Sequence, residues 1–231
     1  MEQDQAKYTL SSDQLQELTA RTIGHYEFNA ENYRVGTADH DVSQNYEALL
    51  ESIESEKPFK ILDLGCGPGR DLKYFKSLGH SPVGIEGSKT FVEMAAEYSG
   101  CEVYLMDLIN LDLPDGEYDG IFANATLFHT PRQEIVRVMS QLNNTLKHRG
   151  VLFCSNPRGN NEEGFNGERY GCYYDAASWN EICQQAGFEE IRYFYRPDGI
   201  PMEQRPWLAS VWRKISLDHD KDGVPCEKIC K

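Results

Sequence analysis

The sequence predicts a doubly wound α/β domain with a mainly parallel sheet, on three observations. From Phe59 onward, short β-branched runs alternate with longer amphipathic ones, the order expected of successive βαβ units. One of these runs, Ile61–Leu64, leads directly into Gly65, Gly67 and Gly69 and then into a helical pattern. The chain has 231 residues, 40% apolar and 11% aromatic. At about 150 residues per domain, that suffices for a full core in one or two domains.

Taken in order, residues 11–33 and 43–53 read as helices, with Ser11 or Ser12 and Ser43 as candidate N-caps. Residues 1–58 are therefore assigned to an N-terminal helical cover of the site. Residues 59–214 form the core, with strands expected at 59–65, 81–87, 101–107, 118–124, 150–156, 188–196 and 207–214. The interleaved helices begin near Asp71, Ser88, Pro131 and Asp175. In the third of them Ile135, Val138, Leu142 and Leu146 fall on one apolar face, suited to cover a sheet. Residues 215–231 are an acidic tail, too short and polar for a core of its own.

Charge narrows the function. Lys and Arg total 23 against 37 Asp and Glu, a formal charge of -14, and such a surface repels phosphate backbones. No stretch reaches the ~18 apolar residues of a membrane span, and the first ten residues lack both parts of a signal peptide. The expectation is a cytoplasmic protein that acts on neither nucleic acid nor membrane. Cys66, Cys101, Cys154, Cys172 and Cys183 are scattered without any CxxC spacing and read as small, mostly buried hydrophobes.

The sharpest signal is the strand running into Asp63-Leu64-Gly65-Cys66-Gly67-Pro68-Gly69-Arg70. Glycines there let the backbone turn tightly and approach a ligand, although a plain βα turn would use them too. A dinucleotide fingerprint would want glycine at position 70, where Arg70 stands. Asp63 followed by GxGxG resembles the first motif of the class I S-adenosylmethionine-dependent methyltransferases. The likeness covers Phe59 to about Lys214, and implies a Rossmann-like fold with helices on both faces and an antiparallel last strand.

The resemblance implies roles residue by residue. Asp63, Gly65, Cys66, Gly67 and Gly69 would form the cofactor loop. Glu86, with Gly87 after it, would accept from the ribose hydroxyls, a task suited to a carboxylate; taken alone it could be a helix-start charge. Asp107, flanked by Met106 and Leu108, would accept from the adenine amine, or merely cap a turn. Asn124 opens the segment that lies near the methionine part. There, Ala125 and Thr126 do not match the PP dipeptide of enzymes acting on exocyclic base amines. His129 would orient or deprotonate the acceptor, or only cap the helix at Pro131.

Two long polar and aromatic segments, 26–41 and 156–171, read as acceptor-binding elements or as solvated loops. Arg158 and Arg169 could hold a carboxylate by a bidentate fork, and Asn161 offers a donor and an acceptor. Tyr33 and Tyr174 are further candidates for the acceptor site. Residues 156–171 together with 195–214 resemble the C-terminal methyltransferase domain of ovothiol synthases. That implies ring N-methylation of 5-thiohistidine to ovothiol A, with S-adenosylmethionine converted to S-adenosylhomocysteine. The family's iron-dependent sulfoxide synthase region has no three-histidine cluster as counterpart among the six histidines here, so this chain would be linked to such a synthase as an excised domain or act after it as a stand-alone enzyme. In the tail, Asp218, Asp220, Asp222 and Glu227 read either as a calcium loop or as a solvated acidic run.

Overall fold

The computed structural model describes residues 9–215; the calcium reading at Asp218, Asp220, Asp222 and Glu227 lies outside them. Three helices come first: α1 (Ser12–Phe28), α2 (Ala30–Thr37) and α3 (Ser43–Leu50). The α/β core follows as β1 (Lys60–Leu64), α4 (Arg70–Ser77), β2 (Ser81–Glu86), α5 (Lys89–Ser99), β3 (Glu102–Leu105), β4 (Tyr118–Asn124), α6 (Arg132–Thr145) and β5 (Leu146–Pro157). A hairpin, β6 (Glu162–Asn166) and β7 (Arg169–Tyr173), precedes α7 (Ala176–Gln185), β8 (Phe188–Arg196) and β9 (Trp207–Lys214).

The seven-stranded sheet has the order β3-β2-β1-β4-β5-β9-β8. Neighbours from β3 to β5 are parallel, and β9 runs antiparallel to both β5 and β8. The Rossmann-like expectation thus holds, including the antiparallel last strand. The order reverses between β1 and β4, and at such a switch point the diverging connections leave a crevice beyond the strands' carboxyl ends.

Both sheet faces are covered. On one, Leu49 of α3 and Phe75 of α4 pack on Ile61, Phe122, Phe153 and Val211, with Phe122 and Phe153 stacked at 5.0 Å. On the other, Val138, Met139 and Leu142 of α6 and Trp179 of α7 pack on Leu152 and Trp212. Both indole N–H groups, of Trp179 and Trp212, donate to the Ser210 hydroxyl, which removes the cost of burying them unpaired. Among the described residues no helix is long and apolar enough to cross a membrane.

Three local expectations are corrected. The helix expected over 11–33 divides at Asn29, whose backbone N–H and side-chain amide both donate to the His25 carbonyl and so end α1. Ser11 does cap α1, in a reciprocal box with Gln14. Ser43, by contrast, lies inside α3, whose N-cap is Val42, and it donates to Asp41. Most of residues 156–171, expected as an acceptor-binding segment or a solvated loop, goes into the hairpin that pairs Glu162–Asn166 with Arg169–Tyr173.

Candidate functional site

The crevice at the switch point is an open, mostly apolar cavity between the carboxyl ends of the strands and the first two helices. One end is built by the loop after β1. The backbone N–H groups of Gly65 and Cys66 donate to the Ile85 carbonyl at 2.8 and 3.1 Å, which ties the loop to β2. Gly65 sits at φ 68°, and an added Cβ would lie 2.2 Å from the Thr126 hydroxyl, so no side chain fits. Glu86 accepts from the Gly67 and Ser88 amides at 2.9 Å each, while burial raises its pKa. The cavity wall here includes Gly65, Gly67, Glu86, Gly87, Met106, Asp107 and Leu108. Asp107 also caps the 3-10 turn Leu108–Asn110, accepting from the Ile109 and Asn110 amides.

Four residues expected at the cofactor stand behind this wall. Cys66 points its thiol into the core beside Leu72 and Ala95. Gly69 starts α4 at φ 89°, and a Cβ there would come within 2.7 Å of the Ala95 backbone. Asn124 accepts from Asn45 of α3 at 3.0 Å. Asp63 is buried, with one carboxylate oxygen lacking any hydrogen-bond partner. Burial and the nearby Asp71 raise its pKa well above the usual range.

The roof and far end come from α1 and α2. Thr19, Thr22, Ile23 and Tyr26 line the cavity from α1, and Tyr33 from α2. The spacing 19, 22, 23, 26 is one face of a helix, a signal in the sequence that the expected cover did not use. Glu27 anchors this roof by accepting from the Ser88 hydroxyl and the Thr90 amide at the start of α5. Tyr33 is edge-on to Tyr26 at 5.5 Å, and burial raises its pKa to about 12.

His129 closes the far end. Its Nδ1 lies 2.5 Å from the Tyr170 carbonyl of β7 and its Nε2 lies 2.8 Å from the Tyr26 hydroxyl. A carbonyl only accepts, so Nδ1 carries the proton. Burial lowers the imidazole pKa to about 4, so near neutral pH Nε2 is bare and accepts the Tyr26 hydroxyl proton. Arg169 stands beside Tyr26 and His129, and its charge lowers both pKa values, against burial at Tyr26 and alongside it at His129. The Tyr170 amide donates to the Thr22 hydroxyl at 3.0 Å, which completes the seam between β7 and α1.

The expected Arg158–Arg169 fork is not formed. Arg158 donates to the Met202 and Arg205 carbonyls and lies over the Tyr195 ring at 4.1 Å. Its cation is therefore already satisfied outside the cavity. The Asn161 side chain is paired with Asp175 at the start of α7, and Tyr174 is buried in the core. Of the expected acceptor residues, Tyr33 lines the roof over Gly67, and Arg169 stands beside Tyr26 and His129.

Residues 61–150 match the family described as a methyltransferase domain. A sterol 24-C-methyltransferase of Yarrowia lipolytica is 31% identical over 135 residues, 54% of this chain and 33% of that protein. A 2-heptyl-1-hydroxyquinolin-4(1H)-one methyltransferase of Mycobacteroides abscessus is 30% identical over 101 residues, 41% of this chain and 44% of that one. This chain thus spans less than half the length of either relative. Among solved structures, the 1,6-didemethyltoxoflavin-N1-methyltransferase of Burkholderia thailandensis, holding 1,6-didemethyltoxoflavin and S-adenosylhomocysteine, superposes with a TM-score of 0.72. The match covers 91% of this chain and 93% of that one at 18% identity, a likeness of fold.

Proposed function

We propose that this chain is an S-adenosylmethionine-dependent small-molecule N-methyltransferase whose acceptor is the imidazole ring of 5-thiohistidine, a reading supported by the methyltransferase-domain match at residues 61–150 and by the likeness of fold. The observation that carries this reading is the roofed cavity with two unlike ends. One end presents Glu86 and an apolar slot between Met106 and Leu108; the other presents Tyr26, backed by His129 and flanked by Arg169.

The residues at the first end fit S-adenosylmethionine. Gly65 leaves open backbone where a Cβ would collide with Thr126, and Gly67 and Gly87 beside it line the cavity without side chains. Glu86, fixed by two amides, would accept from ribose hydroxyls through its remaining lone pairs. Met106 and Leu108 would sandwich adenine, and Asp107 beside them would accept from its amine. When bound, the cofactor supplies an electrophilic sulfonium methyl.

The chain's contribution is alignment in a shielded site. α1 and α2 exclude water over the glycine loop. Arg169 would hold the acceptor's carboxylate, placing its ring below Tyr26 and Tyr33. An imidazole nitrogen already offers a lone pair at neutral pH, so no strong base is required. The neutral His129 serves here to hold Tyr26 in place. The thiohistidine itself would come from an iron-dependent sulfoxide synthase acting earlier.

The test is mass spectrometry of purified protein with S-adenosylmethionine and 5-thiohistidine, with histidine and cysteine in parallel. A single methyl gained by 5-thiohistidine alone is the expected result. Methylation of cysteine or histidine instead would move the acceptor to another small amino acid or thiol. Cofactor binding without any turnover would leave a binding protein.

A further inference from the structure

The hydrogen bonds behind Tyr26 run in one direction, and the direction has consequences for what the cavity can recognise. Thr22 takes the Tyr170 amide proton, and the Tyr170 carbonyl takes the His129 Nδ1 proton. Nε2 is left as an acceptor, and within 2.8 Å of it stands the Tyr26 hydroxyl. A phenol has a single proton, and here it is committed to the imidazole. Tyr26 therefore offers only oxygen lone pairs, one facing the Arg169 guanidinium and one left for the cavity. Glu86, Tyr33, Tyr173 and His25 are the other charged or titratable groups near this ring.

We infer that Tyr26 is the contact that orients the acceptor, and that it selects molecules carrying an N–H across the ring from the nucleophilic nitrogen. This rests on the methyltransferase reading above and deepens it. A neutral imidazole has one N–H and one bare nitrogen on opposite sides of the ring. With the N–H donated to Tyr26, the bare nitrogen is turned toward the cofactor end. Its lone pair forms the new N–C bond, the C–S bonding pair stays on sulfur, and the ring cation then loses its remaining N–H proton to water. His129 is a positioning residue in this scheme. Both of its ring nitrogens are committed, to the Tyr170 carbonyl and the Tyr26 hydroxyl, so it acts through Tyr26 and decides whether that hydroxyl presents lone pairs or a proton. An acceptor that offers only lone pairs on this side, such as a doubly substituted ring, would be repelled.

Two measurements test this. The first is nitrogen NMR of full-length, 15N-labelled protein between pH 6 and 8. A protonated Nδ1 and a bare Nε2 on His129, with Tyr26→Phe shifting Nε2 alone, is the expected signature. A protonated Nε2 would overturn the inference, whatever the acceptor. The second is turnover of 5-thiohistidine. Tyr26→Phe should raise its KM about tenfold, the loss of one hydrogen bond to a neutral group. It should also place methyl groups on both ring nitrogens, with cofactor affinity unchanged. His129→Leu should behave likewise, because the freed hydroxyl can then point its proton at the acceptor, whereas His129→Gln keeps an acceptor for Tyr26 and should restore a single product. A wild-type KM and a single methylated nitrogen in both Tyr26→Phe and His129→Leu would overturn the role of Tyr26. Absence of any turnover by the wild-type protein would refute the 5-thiohistidine reading instead and leave this inference to the NMR result.

Discussion

At the Glu86 end of the cavity, contacts are made by backbone close to strand termini, and their partners are near in sequence: Gly67 with Glu86, Glu86 with Ser88, Asp107 with Ile109. At the Tyr26 end, the partners are Tyr26 with His129, His129 with Tyr170, and Tyr170 with Thr22, separated by 103, 41 and 148 residues. The family match at 61–150 covers the first end and stops before the β6–β7 hairpin that completes the second. One half of the site is thus a property of a local motif, and the other of how distant elements dock.

The sharpest way to break this contrast is at the motif. Gly65→Ala forces a Cβ into Thr126 at φ 68°. Strain and overpacking there should cost about 3 kcal/mol, a roughly 100-fold loss of S-adenosylhomocysteine affinity by calorimetry. Unchanged affinity would mean that the loop yields, and that the local half is not built on its backbone. Next, Glu86→Gln removes a charge and turns an amide donor toward the Gly67 or Ser88 N–H. Cofactor affinity should fall about 10- to 100-fold, with the acceptor's KM unaffected.

The docked half should answer to pH. Burial depresses His129 to about 4 from an unfolded value near 6.5. Its contribution to stability is therefore full above about pH 6.5 and is lost as pH falls toward 4. By linkage, about 2 kcal/mol should disappear between pH 7 and pH 5 in urea unfolding, and His129→Gln should lack that component. A pH dependence unchanged in the variant would deny the buried neutral imidazole.

Smaller effects separate the two arginines. Arg169→Gln should raise the acceptor's KM about tenfold, whereas Arg158→Gln should leave it alone and lower stability by about 1 kcal/mol through its lost carbonyl bonds. The least change is expected at Arg21, whose exposed pair with Glu168 joins α1 to the hairpin turn. Arg21→Ala should barely move Tm.

The same division decides what could be read from the sequence. Alternating β-branched runs place all seven strands of the main sheet; the central β1, β4 and β5 are mostly buried and must be apolar, whereas the edge strands β3 and β8 are largely exposed and are marked by their turn boundaries instead. Gly65, Glu86 and Asp107 follow from register, since strand ends converge on the crevice. Register does not say which way a side chain turns, so Cys66 and Asn124 were expected in the cavity and face away from it. Glu162, Glu163 and Glu168 make the hairpin look solvated, yet the two residues between the paired Asn166 and Arg169 are Gly167-Glu168, and a glycine at the first turn position, here at φ 63°, is a two-residue hairpin signal. Arg158 and Asn161 looked free for a ligand. Their partners, at Met202, Arg205 and Asp175, are set by tertiary docking that no spacing encodes.

Tyr170 bonds to α1 through its amide and to the cavity's histidine through its carbonyl. Its N–H can meet solvent only when the roof lifts from the hairpin, so the rate at which that one proton exchanges with deuterium is a built-in clock for opening. Loading the cofactor side should slow the clock, and the exchange rate would then time how often the roof parts to let a product leave.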